Sequence, residues 1–211
     1  MNYERKECLL NVENVSLKYD KLILRDVNLK IHNLSRADLI NQGQIVSLIG
    51  RSGIGKTQLF KILAGLNKPT SGTVKIGIDQ HPVQAGEMGI VPQNYILFNH
   101  RTIYQNLAIA LTQSGQKLTE KQAKDIIEKH ADDFQIKEHL KKYPAQVSGG
   151  QRQRVSILQQ VLAGNNFILF DEPFSGLDVL VIDLVIDLLV KVSQLHDHNT
   201  LVIVSHDIEN A

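Results

Sequence analysis

The chain has 211 residues, a formal net charge of +1, 43% hydrophobic and 21% charged residues, and a single cysteine, Cys8. That length and mix suit one or two globular domains with a full core. The near-neutral charge argues against a broad nucleic-acid-binding face, and the single cysteine excludes an intrachain disulfide and fits a reducing compartment.

The N-terminal stretch MNYERKECLLNVENV has no apolar core flanked by a cleavage site, so no signal peptide is expected. CLLNVENVSLKYD and ILRDVNLKI alternate partly and predict two strands; the polar stretch HNLSRADLINQGQ after them reads as a loop or a short helix. IVSLIG (45–50) is a continuous apolar run, the pattern of a strand buried on both faces. Leu59, Ile62, Leu63 and Leu66 then recur at helical spacing, with Pro69 as the stop. GTVKIGI and MGIVPQ are further strand candidates, and from about 100 to 145 the pattern turns helical, with Thr119 and Gln122 spaced as a capping box. Val155, Leu158, Val161 and Leu162 mark another helix that Gly164 can end.

FILF (167–170) and TLVIVS (200–205) predict two more buried strands, separated by a long helix after Asp178. That helix carries the most apolar stretch, LDVLVIDLVIDLLVKV, but Asp178, Asp183 and Asp187 interrupt it. A charge at the centre of a membrane helix costs roughly 3 kcal/mol, so the segment reads as a buried helix of a soluble domain. Strands alternating with helices predict an α/β fold with a mainly parallel central sheet, preceded by an N-terminal β part.

Three places carry chemistry. In GRSGIGKT, the residues Gly50, Gly55, Lys56 and Thr57 satisfy every fixed position of G-x-x-x-x-G-K-[ST]. The context of buried strand, loop and amphipathic helix is the one this motif needs. Glycines let backbone N–H groups turn toward phosphates, Lys56 adds a cation, the Thr57 hydroxyl can bind Mg²⁺, and the helix N-terminus favours an anion. Arg51, Ser52, Gly53, Ile54 and Gln58 complete the nucleotide-binding loop. In FILFDEP, Asp171 and Glu172 close a strand and should lie beside that loop, because ligands sit at the carboxyl ends of strands in open parallel sheets. One carboxylate can hold Mg²⁺ and the other can activate a water; alone, the pair would pass for surface acids. His206 closes the last strand similarly. In QVSGGQRQR, a serine and two glycines precede a helical pattern, a second pocket suited to an anion.

These residues together resemble the nucleotide-binding domain of ATP-binding cassette (ABC) transporters over nearly the whole chain. Tyr19 stands where an aromatic stacks on adenine, Gly50–Thr57 matches the Walker A loop, Gln93 the Q-loop, and VSGGQ (147–151) the signature. FILFDE matches Walker B, SGLD (175–178) the D-loop, and His206 the switch histidine. The resemblance implies a P-loop NTPase fold in one ABC ATPase domain, with residues 1–93 and 147–211 as core and 94–146 as a helical subdomain. It implies ATP and Mg²⁺ as ligands, with Lys56 and the loop on the phosphates and Thr57, Asp171 and Gln93 organising the metal or its waters. Glu172 would be the general base, His206 would contact the γ-phosphate, and Asp178 would couple two sites. Ser148, Gly149, Gly150 and Gln151 of the signature would cap the ATP held by a facing subunit. Its partners would be a second copy or a paralogous ATPase in a head-to-tail dimer, and integral membrane permease subunits, at the cytoplasmic face of a membrane; no nucleic acid is expected.

The stretch DEPFSGLD and a compact single domain favour an importer over an exporter or lipid-handling system. A soluble ABC ATPase acting on DNA would carry a long insertion between Lys56 and Ser148, where no heptad run occurs, and a sensor without hydrolysis would lack Glu172 or His206. Departures from the family pattern are Val147 for leucine, Gln159 for arginine, Gln58 for a second hydroxyl, and a longer connection between Ile31 and Gly43. The sequence stops at Ala211 where members normally continue; a missing segment would expose apolar surface and lower stability.

Overall fold

A computed structural model describes residues 3–36, 43–51, 53–177, 179–196 and 199–205. The strands are β1 (Tyr3–Lys18), β2 (Leu22–Arg36), β3 (Gln44–Ile49), β4 (Ser71–Ile76), β5 (His81–Pro82), β6 (Gly89–Val91), β7 (Phe167–Asp171) and β8 (Thr200–Ser205). The α-helices are α1 (Lys56–Leu63), α2 (Ile103–Gln113), α3 (Glu120–Asp133), α4 (Gly149–Leu162) and α5 (Val179–Ser193), with 3₁₀ turns at Lys137–His139 and Pro144–Gln146.

Two sheets form. One is antiparallel in the order β2-β1-β4-β5, the other parallel in the order β3-β8-β7-β6. This is the expected α/β arrangement of a parallel sheet with an antiparallel N-terminal part. Side chains alternate across each strand, and the two sides of the parallel sheet feed two cores. Ile168, Phe170, Leu201 and Ile203 pack with Ile103, Leu107, Ile127, Leu158 and Leu189 of the helices. Phe167, Leu169, Val202 and Val204 pack with α1 residues Phe60 and Leu63 and with Leu10, Val12 and Val15 of β1. A strand buried on both faces needs apolar residues at consecutive positions, which is why FILF and LVIV read as unbroken runs.

Four expectations change. The IVSLIG strand is not buried on both faces: β3 has only β8 as a neighbour among the described strands, and Ile45 and Ile49 are 38% and 45% exposed. The stretch read as a loop or short helix starts as a continuation of β2, whose residues to Arg36 pair back to Tyr3; cross-strand pairing overrides its polar composition. The helix after the glycine loop ends well before Pro69. Gly65 takes a left-handed φ of 70°, and the N–H groups of Gly65 and Leu66 close on the carbonyls of Ile62 and Lys61, a Schellman end. Last, α5 is buried along one stripe only: Ile182, Val185, Leu189 and Val192 face the core, while Asp183, Leu184, Asp187 and Val190 are exposed. Among the described residues no helix is long and apolar enough to cross a membrane.

The hairpin after β4 is closed by charge. His81 Nδ1 lies 2.8 Å from Asp79 Oδ1 and Nε2 lies 2.8 Å from Glu87 Oε1. The hydrogen bond from Asp79, then that from Glu87, hold the imidazole above its ordinary 6.5, and the same contact with His81 holds Asp79 below 3.8. The His81 contribution is complete below 6.5 and fades as pH rises through its raised value; that of Asp79 fades as pH falls through its lowered one. His81→Gln is therefore expected to lower the thermal midpoint more at about pH 6 than at about pH 9, by a small amount because the groups are exposed. Equal losses at both pH values would show that the charge on His81 contributes nothing.

Candidate phosphate site and signature helix

The parallel register brings the chemistry together. Ile49 of β3 and Asp171 of β7 both flank the carboxyl end of β8, at Ser205 and Val204. Gly50 N–H donates to the Ser205 carbonyl at 3.2 Å and Glu172 N–H to the Val204 carbonyl at 2.8 Å. The glycine loop and the acidic pair thus leave the strand ends on either side of β8. His206 follows β8 directly but, like Ser52 and Asp178, lies outside the described residues.

Gly55 is the residue before α1 and takes φ 98°, which other residues rarely adopt. A Cβ there would also sit 2.9 Å from Leu24 Cδ2, so the loop needs glycine at this point. Lys56 Nζ donates to the carbonyls of Gly50 at 2.8 Å and Arg51 at 3.1 Å, and lies 3.6 Å from Glu172 Oε1. A phosphate in the loop would offer this ammonium better-matched oxygens than neutral carbonyls do. Thr57 and Asp171 line one cleft of about 490 Å³ between α1, β6, α2 and α4. Burial, with repulsion from Glu172, pushes the Asp171 carboxyl above its ordinary 3.8, and Lys56 and Lys61 pull it back. A raised carboxyl beside a hydroxyl and a lysine gains from a cation. Among the described residues no group of three His, Cys, Asp or Glu could hold a metal. The donor set fits an ion such as Mg²⁺, which takes one or two carboxylates and completes its shell with water and phosphate oxygens.

Tyr19 stands in the turn between β1 and β2, 56% exposed. Its hydroxyl donates to Gln58 Oε1 at 3.3 Å and accepts from Asn67 Nδ2 at 2.9 Å, which ties the ring to the first turn of α1 beside the loop. Sequence reading missed Asn67, which no motif marks. Gln93, exposed after β6, donates to Ser175 Oγ at 3.2 Å, so its amide bridges to the turn beyond Glu172. The segment after Gln93 is held by the buried Asn106 of α2, which accepts from Phe98 N–H at 2.8 Å and donates to the carbonyls of Phe98 and Thr102.

The stretch read as a second anion pocket forms the N-terminus of α4. Ser148 is its cap: the hydroxyl accepts from Gln151 N–H, and Gln151 Oε1 accepts from Ser148 N–H at 2.9 Å. The Ser148-x-x-Gln151 spacing is the signal that marks Thr119 and Gln122, whose box also forms; such caps contribute about 1 kcal/mol. The Gln151 side chain is thereby turned onto its own helix, with Nε2 2.9 Å from His139 Nε2. Gly149 and Gly150 supply first-turn N–H groups, which have no partner within a helix. A Cβ on Gly149 would meet only Arg152 Nη2, at 4.0 Å. Of the departures, Val147 is buried and Gln159 donates to the Asn106 carbonyl at 3.3 Å, tying α4 to α2.

The chain is similar to known proteins in sequence and in fold. The sulfate/thiosulfate import ATP-binding protein of Pectobacterium atrosepticum is 34% identical over 212 residues, covering 96% of this chain and 60% of that protein. The spermidine/putrescine import ATP-binding protein of Protochlamydia amoebophila is 37% identical, covering 94% of this chain and 51% of that protein. The chain therefore spans 51% to 60% of the length of these two relatives. The structure of cbiO1 from Clostridium perfringens, part of the ABC transporter complex cbiONQ, superposes with a TM-score of 0.81 at 25% identity, over 98% of this chain and 81% of that one. An ATP-binding subunit of an ABC transporter shares the fold with a TM-score of 0.73 at 24% identity, over 95% of this chain and 80% of that one. The model of the ABC transporter family matches residues 34–175, on both sides of the cleft and through the signature, and the chain belongs to that family.

Proposed function

We propose that the chain binds ATP with Mg²⁺ and hydrolyses it as the ATP-binding subunit of an import system, through a head-to-tail pair in which each copy completes the other's site. The observation that carries this reading is that one chain has two glycine-bearing helix starts. The first, α1, follows the Lys56 loop, with Lys56 and Glu172 beside it. The second, at Ser148–Gly150, has a serine cap and first-turn N–H groups. A triphosphate seated in the first of one copy and capped by the second of another uses both. Its γ-phosphate supplies contacts across the pair that ADP lacks, so hydrolysis favours opening.

Each residue then has a task. Lys56 and the loop N–H groups hold and orient phosphate oxygens. Thr57 and Asp171, with Gln93, would hold Mg²⁺, which neutralises phosphate charge when bound. Glu172 accepts a proton from the attacking water, His206 contacts the γ-phosphate, and Tyr19 stacks on the adenine. Asp178 couples the two sites. Import is favoured by the names of the sulfate/thiosulfate and spermidine/putrescine relatives. Transport then requires separate permease subunits, with this chain on the cytoplasmic face of the membrane. The exposed Leu66, Ile96 and Phe98 beside the cleft offer them an apolar seat next to Gln93. Residues 94–146 serve as the helical subdomain that carries the nucleotide state from Gln93 to that seat.

With a non-hydrolysable ATP analogue and Mg²⁺, light scattering is expected to show the mass of a dimer, and with ADP that of a monomer. A mass indifferent to nucleotide would sink the shared-site reading.

A further inference from the structure

Gln153 is fully buried on α4, about one turn beyond Gly149. Its Nε2 donates to the carbonyl of Pro173 at 2.9 Å, inside the protein, while its Oε1 is buried with no partner among the described residues. An apolar side chain of the same size would fill this place without a stranded oxygen, whose desolvation opposes folding. The amide is therefore kept for the bond it makes. Pro173 follows Glu172, a non-glycine residue held at φ 52°. Glu172 N–H is fixed on Val204, and its carbonyl accepts from Ser175 N–H at 3.2 Å. The Gln153 bond links this strained turn to the helix that starts at the signature.

We infer that Gln153 is a positioning residue that couples the two half-sites of one chain: it ties the helix start that caps a partner's ATP to the backbone carrying the chain's own base. This rests on the function proposed above. Closure of a partner's phosphate on Ser148–Gly150 loads α4, and α4 bears on Pro173 and so on where the Glu172 carboxylate points. Gln153 touches no reacting atom; it acts through Glu172.

The test is ATP turnover by the full chain and its Gln153→Met variant, which keeps the length and loses the donor. The thermal midpoint is expected to stay level or rise, ATP binding to stay within about twofold, and kcat to fall roughly 10- to 100-fold, the scale of a misplaced catalytic group. The Hill coefficient for ATP is expected to drop toward one. In a Glu172→Gln background the same substitution is expected to add almost nothing to the loss of kcat, because groups acting as a unit are not additive. Wild-type kcat and Hill coefficient in a stable variant would overturn the proposal, as would a variant that loses stability yet keeps wild-type turnover per folded molecule. If the wild-type chain neither hydrolyses ATP nor pairs, the underlying function fails, and that is visible before any variant is made.

Discussion

Glu172→Gln is expected to cut ATP turnover by roughly 10²- to 10⁴-fold, the usual worth of a general base, while ATP stays bound and the dimer accumulates with ATP itself. The amide has the shape of the carboxylate and cannot take a proton from water. The site keeps its lysine, loop and hydroxyl, so the phosphates are held as before. Removing the charge also acts on the neighbours. Lys56 loses the carboxylate 3.6 Å away and is freer for phosphate, and Asp171 loses the repulsion that helps raise its carboxyl. Both changes favour ATP over the open form. Turnover by stopped assay and mass by light scattering check this together. Normal hydrolysis by the variant would remove Glu172 from the role of base; lost hydrolysis without a dimer would separate the base from the shared site.

Much of this site could be read from residue order because the chemistry is local. The phosphate loop is a contiguous stretch and its strand and helix context is contiguous; Gly55 takes the left-handed turn before α1, and Lys56 reaches back to the loop's carbonyls. The buried strands β7 and β8 announced themselves as apolar runs for a simple reason: both faces meet a core. Failures arose where long-range contacts decide. Nothing near Ile45 says that β3 has a single neighbour, and nothing in NLSR says that it pairs with the first residues of the chain. Leu66 continued a helical spacing, yet the left-handed Gly65 before it had already ended the helix; here a turn residue outweighed the periodicity. The supporting contacts of the site were also hidden. Asn67 behind Tyr19 and Gln153 behind Glu172 act across 48 and 20 residues of sequence, and Asn106 holds the segment after Gln93, each through a single side-chain amide. Such an amide has no periodicity.

Gly149→Ala is expected to leave the fold intact and cut turnover steeply, which separates the two reasons a helix can begin with glycine. Within this chain the substitution is harmless. The added Cβ meets nothing closer than Arg152 Nη2 at 4.0 Å, and alanine is a better helix residue than glycine by up to about 1 kcal/mol. The thermal midpoint should hold or rise slightly. ATP affinity of the single chain should not change, because the Lys56 loop is untouched. What the methyl group does is stand in front of the first-turn N–H groups, where a phosphate oxygen must come within hydrogen-bond distance. Loss of a preorganised donor to an oxyanion lowers rates by roughly 10²- to 10³-fold, and turnover and ATP-driven dimer formation are expected to fall together on that scale. At Gly55 the outcome should differ, since its φ of 98° and the approach of Leu24 make glycine a requirement of the fold itself; Gly55→Ala should lower both stability and ATP binding. Wild-type turnover by a stable Gly149→Ala chain would mean that no anion approaches the start of α4, and the facing copy would have no part in the site.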